Sequence, residues 1–255
     1  MKFVGFDLEV CTWPESGNWD KETPLGISCV GLMGSDWDKP EVLYASSCNG
    51  SPEPRAMRED ELHHVLALFK EYRHKGYTIV SWNGLQFDFL NMALSDPSHA
   101  YDYAMIAMDH IDMMFYILCH KGWPVGLEAV AHGIGLSGKT AGMSGDKAPD
   151  MWMGKEEPND LGDMELIPST LEGRNKVLEY VGQDAITTVD IAEIASRTKT
   201  LKWRSKSSGR WQFLEFMPLT TKVCLNIPVP DTSWMDNPLT RESFYDWTKS
   251  HIGNR

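Results

Sequence analysis

The chain has 255 residues, 42% hydrophobic and 24% charged, which suffices for one large domain, or a domain plus an extension, around a real core. No apolar run approaches a membrane span, and MKFVGFDLEV turns acidic too quickly for a signal peptide, so the expectation is a cytoplasmic protein without a membrane partner. A formal net charge of −12 argues against broad nonspecific attraction to nucleic acid, although cations or a local basic patch can reverse the field at one site. The five cysteines (Cys11, Cys29, Cys48, Cys119, Cys224) are odd in number and contain no CxxC pair, which suggests reduced thiols rather than a disulfide framework or a zinc site.

In chain order, KFVGFDLE from residue 2 reads as a strand, followed by a polar loop to about Pro24. LGISCVGLMG and EVLYAS read as two more strands, and the turn-rich links between them suit an antiparallel meander. MREDELHHVLALFKEYRHK places Leu62, Val65, Leu66 and Phe69 at helical spacing behind an acidic first turn, and Gly76 ends that helix. YTIVSW makes a fourth strand that exits through Asn83-Gly84 into a helix from about Gln86 to Leu94. Further helices are expected over Tyr101 to His120, Leu127 to Ile134 and Leu171 to Thr198. SGKTAGMSGDKAPDMWMGKEEPND between the last two reads as an irregular loop. The pattern is α/β.

Asp7 and Glu9 are two apart, so an extended backbone points both carboxylates to one face while Phe6 and Leu8 face the other way. Two acids on one face of an interior strand repel each other unless something positive sits between them, and a divalent metal is the natural candidate. Asp88, in the first turn after Asn83-Gly84, is by itself an ordinary helix-start acid. Tyr180 and Asp184 are four apart, so they share one side of a helix. Each signal alone is weak, with a solvated acid or an aromatic at a helix boundary as the plain alternative.

Together, Asp7-x-Glu9, Asn83-x-x-x-Phe87-Asp88 and Tyr180-x-x-x-Asp184 occur in an order that resembles the DEDD superfamily of 3′ to 5′ exonucleases. The last motif is that of its tyrosine branch, since Glu179 stands where the histidine branch needs a histidine. WNGLQFDFL, HIDMM and GIGLSGK look similar to the proofreading exonuclease domain of family B DNA polymerases and to stand-alone exonucleases related to it. The resemblance covers roughly Met1 to Thr198. It implies an RNase H-like α/β fold, a mixed sheet made of an antiparallel meander plus a further parallel strand and flanked by helices. It places an exonuclease domain at 1–200 and a C-terminal extension at 201–255 docked on it.

The implied activity is metal-dependent hydrolysis of DNA, preferentially single-stranded, from a free 3′ end. Carboxylate oxygens suit two Mg²⁺ or Mn²⁺ ions. By analogy with the family, Asp7 bridges both ions, Glu9 and Asp184 complete the one that activates water, and Asp88 holds the other. Tyr180 orients the attacking water, because a phenol titrating near 10 is a poor base at neutral pH. Leu8 and Asn83 are implied to meet the terminal nucleotide, while Phe87 and Phe89 anchor the turn and Phe87 is grouped with the nucleic-acid contacts. Asp112 supports the site in the family manner or simply starts the helix MMFYIL.

RTKTLKWRSKSSGRWQF carries Arg197, Lys199, Lys202, Arg204, Lys206 and Arg210 without an acid, interleaved with Trp203 and Trp211. It is the candidate nucleic-acid groove, with Lys202, Arg204 and Lys206 on phosphates and Trp203 stacked on a base, or else a solvated basic helix end and turn. Lys139 is a candidate phosphate contact or else a solvated loop lysine, since its loop lacks the P-loop pattern. The histidines show no metal spacing, and His63-His64 falls on a surface helix. The Pro-rich end, with Trp234, Phe244 and Trp247, is expected to dock. Alternatives are an exoribonuclease or a catalytically silent nucleic-acid-binding module, and a proofreading role would need a separate protein partner in replication or repair.

Overall fold

The computed structural model describes residues 1–13, 23–137, 143–159 and 163–253, so Lys139 and most of the first polar loop lie outside the described residues. Strand β1 (Lys2–Val10) is followed by β2 (Ile27–Gly34), β3 (Glu41–Tyr44), helix α1 (Glu59–His74), β4 (Tyr77–Ser81), α2 (Asp88–Ser95), α3 (Ala100–Asp109), β5 (Ile111–Asp112), α4 (Met113–Lys121) and α5 (Leu127–Gly133). Then come α6 (Ala148–Met153), β6 (Gly154–Pro158), β7 (Met164–Pro168), the long α7 (Leu171–Thr198), β8 (Thr200–Arg204), β9 (Trp211–Glu215), α8 (Thr221–Cys224) and α9 (Glu242–Ile252). The main sheet has the order β3-β2-β1-β4-β5, antiparallel from β1 through β2 to β3 and parallel from β1 through β4 to β5. This is the mixed α/β sheet that the resemblance implies, and its β1–β2–β3 part is the antiparallel meander read from the strand pattern. Among the described residues no helix is long and apolar enough to cross a membrane, and all five cysteines are free thiols.

Strand β1 is central, and its two faces do different work. Phe6 points to one side, with ring centroids 4.9 Å from both Phe69 of α1 and Phe89 of α2. Gly5, Asp7 and Glu9 alternate onto the other side, where α7 crosses. A Cβ added at Gly5 would lie 2.6 Å from Val189 Cγ2 and 3.0 Å from the Ala185 carbonyl oxygen; one at Gly31, the β2 partner of Asp7, would lie 2.5 Å from the Val181 oxygen. The two glycines therefore let the helix backbone come down onto the sheet beside the acids.

Four expectations need correction. The single helix over Tyr101 to His120 is broken: His110 is extended, its Nε2 lies 2.9 Å from Ser81 Oγ, and Ile111 and Asp112 pair with Val80 and Ser81 as the last strand of the sheet. Burial pulls the His110 imidazole down to about 3, so it sits in the core as a neutral hydrogen-bonding group. The expected irregular loop contains α6 and, with β7, an antiparallel ribbon; Trp152 anchors it by full burial and an indole hydrogen bond to the Arg55 carbonyl, 2.9 Å. The basic stretch is the β8–β9 hairpin. At the C-terminal end Phe244 is fully buried and Trp247 Nε1 donates to the Leu85 carbonyl (2.8 Å), whereas Trp234 is 67% exposed and only edges against Trp123.

Because the atom opposing Gly31 is backbone, relief would require α7 to shift. Gly31→Ala should cost about 1–3 kcal/mol in urea unfolding, and an unchanged midpoint would show that the helix approach is not tight there.

Candidate metal and nucleic-acid site

Asp7, Glu9, Asp88, Tyr180 and Asp184 line one cavity of about 1000 Å³. Strand β1 delivers the first two, the start of α2 the third, and one side of α7 the last two. Asp88 is tied to β1 directly, since its Oδ1 accepts the Leu8 backbone N–H at 3.1 Å. Glu9, Asp88 and Asp184 are each 5% exposed or less, and Asp7 is half-buried. Burial first, and then the charges of Asp184, Glu9 and Asp7, push the Tyr180 phenol well above its ordinary value. The phenol is therefore a neutral hydrogen-bond donor throughout the physiological range. These charges also locate it among three of the four acids.

Asn83 closes the turn before α2 in the left-handed region, at φ 71°, a conformation that asparagine tolerates better than most residues. Its side-chain Oδ1 is buried without a hydrogen-bond partner among the described residues, and the residue lines the cavity. The turn is held from behind by Asp112, whose carboxylate accepts from the backbone N–H groups of Asn83 (3.1 Å), Leu85 (2.9 Å) and Phe115 (3.0 Å). Asp112 thus both supports the site and caps α4. Burial, then the charge of Asp112, pushes the Asp88 carboxyl well up.

Phe89, fully buried, anchors the turn, while Phe87 turns to the cavity, its ring centroid 5.9 Å from that of Trp13. Leu8 contributes cavity floor, but its side chain is 3% exposed and its N–H is committed to Asp88. Arg204 and Lys206 reach the cavity wall. The expected stacking of a base on Trp203 is wrong. Trp203 is 3% exposed because β8 alternates, with Leu201 and Trp203 facing inward and Lys202 and Arg204 outward. The open ring is Trp211, opposite Arg204 in the hairpin, 49% exposed and on the cavity wall; Phe213, opposite Lys202, is 57% exposed. Lys202 does not line the cavity, and its Nζ lies 4.2 Å from the Trp211 ring centroid, a cation–π contact. Period-two alternation across residues 200–204 and 211–215 carried the signal for Trp211; the cavity residue His132 had none.

The family model of the RNase_H superfamily matches residues 31–196. The chain belongs to the RNase H superfamily. The matched span of this RNase H-like chain contains Asp88, Tyr180 and Asp184, and Asp7 and Glu9 stand on the strand just before it. No curated protein matches by sequence. Among solved structures, the family B DNA polymerase from the hyperthermophilic archaeon Pyrobaculum calidifontis is similar at 18% identity and a TM-score of 0.51, over 76% of this chain and 24% of that one. E. coli Exonuclease I in complex with a dT13 oligonucleotide matches at 13% identity and a TM-score of 0.34, over 76% of this chain and 41% of that one. This chain therefore spans well under half the length of either.

The donor set fits hard divalent cations: four carboxylates from three elements open on one cavity. Their oxygens are not drawn into a single knot within 4.8 Å, as one ion alone would require; among the described residues only His63, Asp96 and His99 are that compact. Two ions about 3.5 to 4 Å apart need a wider ligand set.

With its folded-state carboxyl raised, Asp88 holds a proton that the unfolded chain has already released, so it lowers apo stability as pH rises from the ordinary carboxylate range toward the raised value. Asp88→Asn keeps the acceptor for Leu8 and removes that charge. Without divalent cations it should be more stable than the parent by about 1–2 kcal/mol at pH 8 and nearly equal at pH 4. Equal stabilities at both pH values would show that the carboxylate is not strained in the apo fold.

Proposed function

We propose that this chain is a metal-dependent 3′ to 5′ exonuclease that hydrolyses phosphodiester bonds from the 3′ end of DNA, preferentially single-stranded, with residues 1–200 as the catalytic domain and 201–255 as an extension that completes the cleft. The observation that carries this reading is the meeting of Asp7, Glu9, Asp88, Tyr180 and Asp184 in one cavity whose wall also presents Asn83, Arg204, Lys206 and Trp211. Membership of the RNase H superfamily and the polymerase-like fold agree with it.

Asp7, Glu9, Asp88 and Asp184 would hold two divalent cations, Mg²⁺ or Mn²⁺. Those ions supply an activated water, charge relief at the phosphate and stabilisation of the leaving 3′ oxygen. The chain supplies the rest. The Leu8–Asp88 hydrogen bond fixes α2 against β1, so that acids from different elements keep their spacing. Tyr180, held neutral with its hydroxyl hydrogen-bonded to Asp184, can orient the attacking water through its hydroxyl oxygen and does not compete for its proton. The unsatisfied Asn83 oxygen is free to accept from a sugar hydroxyl or a base amino group of the terminal nucleotide. Beyond the metal site, Arg204 and Lys206 offset the phosphate charge, and Trp211 and the Trp13–Phe87 pair offer ring faces to unpaired bases.

Asp7→Ala should reduce hydrolysis of single-stranded DNA by about 10³-fold or more while leaving thermal stability unchanged or raised. Near-parental turnover in this variant would refute the assignment. Tyr180→Phe removes one hydroxyl and no metal ligand, and should lower kcat by about 10-fold to 100-fold with unchanged Mn²⁺ affinity in calorimetry.

The hairpin has its own test. Replacing Arg204 and Lys206 by Ala should flatten the dependence of log Kd on log salt by about 1 to 1.5, measured with Ca²⁺ in place of Mg²⁺. Trp211→Ala should weaken long single strands by about 1–3 kcal/mol, whereas dinucleotide hydrolysis changes little. An unchanged salt slope would return the hairpin to a solvated surface.

A further inference from the structure

Helix α2 carries Asp88 at its first residue, and a different cluster gathers just past its other end, about 12 Å along the axis at 1.5 Å per residue. Asp96 caps the end of α2 and starts the 3₁₀ turn Pro97–His99. Its carboxylate is fully buried, yet its basic neighbours among the described residues are two imidazoles and no lysine or arginine. His63 reaches it from α1, with Nε2 3.4 Å from Oδ1, and His99 from the 3₁₀ turn, with Nδ1 3.1 Å from Oδ2. The two rings lie 4.3 Å apart between centroids.

We propose that His63, Asp96 and His99 form a second metal site, distinct from the carboxylate cavity, which takes Zn²⁺ with two imidazole nitrogens, one carboxylate oxygen and a water. The three donor atoms already lie within 4.8 Å of one another. Ligands held at about 2.0–2.2 Å on a tetrahedron are spaced by roughly 3.3–3.6 Å, so the observed separations of donors on Asp96 need only small adjustments. Nitrogen-rich donors favour Zn²⁺ over the Mg²⁺ or Mn²⁺ that suit the carboxylate cavity. The fourth position has access to solvent, because the side chains of His63 and His99 are 41% and 34% exposed.

The groups behind Asp96 are those that orient a ligating carboxylate. Ser98 Oγ donates to it at 2.7 Å, and the fully buried Tyr103 hydroxyl lies between its Oδ2 (3.3 Å) and the Leu62 carbonyl oxygen (3.2 Å). Donors reach both of its oxygens, Ser98 Oγ on Oδ1 and His99 Nδ1 on Oδ2. Ser98 and His99 reach the Asp96 carboxylate with their side chains from the turn that it begins. His63, thirty-three residues away in sequence, comes from another helix and supplies the third donor. A bound ion would clip α1 to the end of the helix that positions Asp88.

The test is calorimetric titration of the full chain with Zn²⁺ in excess Mg²⁺, which keeps the carboxylate cavity occupied by the competing ion. The expected result is one Zn²⁺ per chain at micromolar affinity or better, with a rise in Tm. His63→Ala and His99→Ala should each weaken that binding by about tenfold or more and abolish the rise in Tm. Asp7→Asn and His64→Ala, an exposed neighbour on α1, should leave both intact. Each variant's Tm without zinc, expected near the parent because both histidines are partly exposed, establishes that the fold is retained. Parental Zn²⁺ binding in the two histidine variants, loss of binding in Asp7→Asn, or no binding at about 100 μM Zn²⁺ would overturn the proposal. None of these readouts depends on nuclease activity.

Discussion

Four carboxylates that face one cavity repel one another, and the fold is organised to hold them there. Repulsion and desolvation would be relieved by letting α2 or α7 drift from β1, and specific contacts prevent it. The Leu8 N–H fixes Asp88 to the central strand. Glycines at positions 5 and 31 let α7 settle onto the sheet where Asp184 and Tyr180 meet Asp7 and Glu9. On the opposite face Phe6, Phe69 and Phe89 form a contiguous aromatic core that holds α1 and α2 to the same strand. The raised Asp88 carboxyl and Tyr180 phenol record the strain that remains. Divalent cations are the chemistry that would turn this cost into binding.

Much of this was legible in the order of residues. Alternation placed Asp7 and Glu9 together, helical spacing placed Tyr180 with Asp184, and both are local geometric facts that the backbone enforces. The boundaries of α7 followed for the same reason, since twenty-eight residues of amphipathic pattern leave little ambiguity. What failed was non-local. The break at His110 comes from a hydrogen bond to Ser81 and two residues of parallel pairing, neither of which leaves a mark in local composition. In the ribbon β6–β7, GKEEP offers no apolar alternation, and the apolar Met164, Leu166 and Ile167 of the short MELIP partner stay exposed, so no buried face announced the pair.

Trp203 and His63 mark two further limits. A basic, tryptophan-containing stretch suggested Trp203 as the ring that meets a base, but the pleat turns Trp203 into the core and leaves Trp211, on the partner strand, facing out. The composition was right and the face was wrong, which a strand reading of residues 200–204 would have corrected. His63 looked like a surface helix residue and is one, at 41% side-chain exposure, yet its imidazole converges with Asp96 and His99 across thirty-three residues of chain. Spacing rules for metal motifs detect ligands on one element and miss those assembled from two.

The central claim is directional hydrolysis at the carboxylate cavity, and single-stranded DNA labelled at its 5′ end measures it most directly. With Mg²⁺ or Mn²⁺, a 3′ to 5′ exonuclease shortens the labelled strand one nucleotide at a time into a descending ladder, and EDTA stops it. The same strand labelled at its 3′ end should lose its label first, as a mononucleotide. Release of the 5′ label as the first product, internal fragments without a ladder, or an intact strand in the presence of either metal would contradict the account.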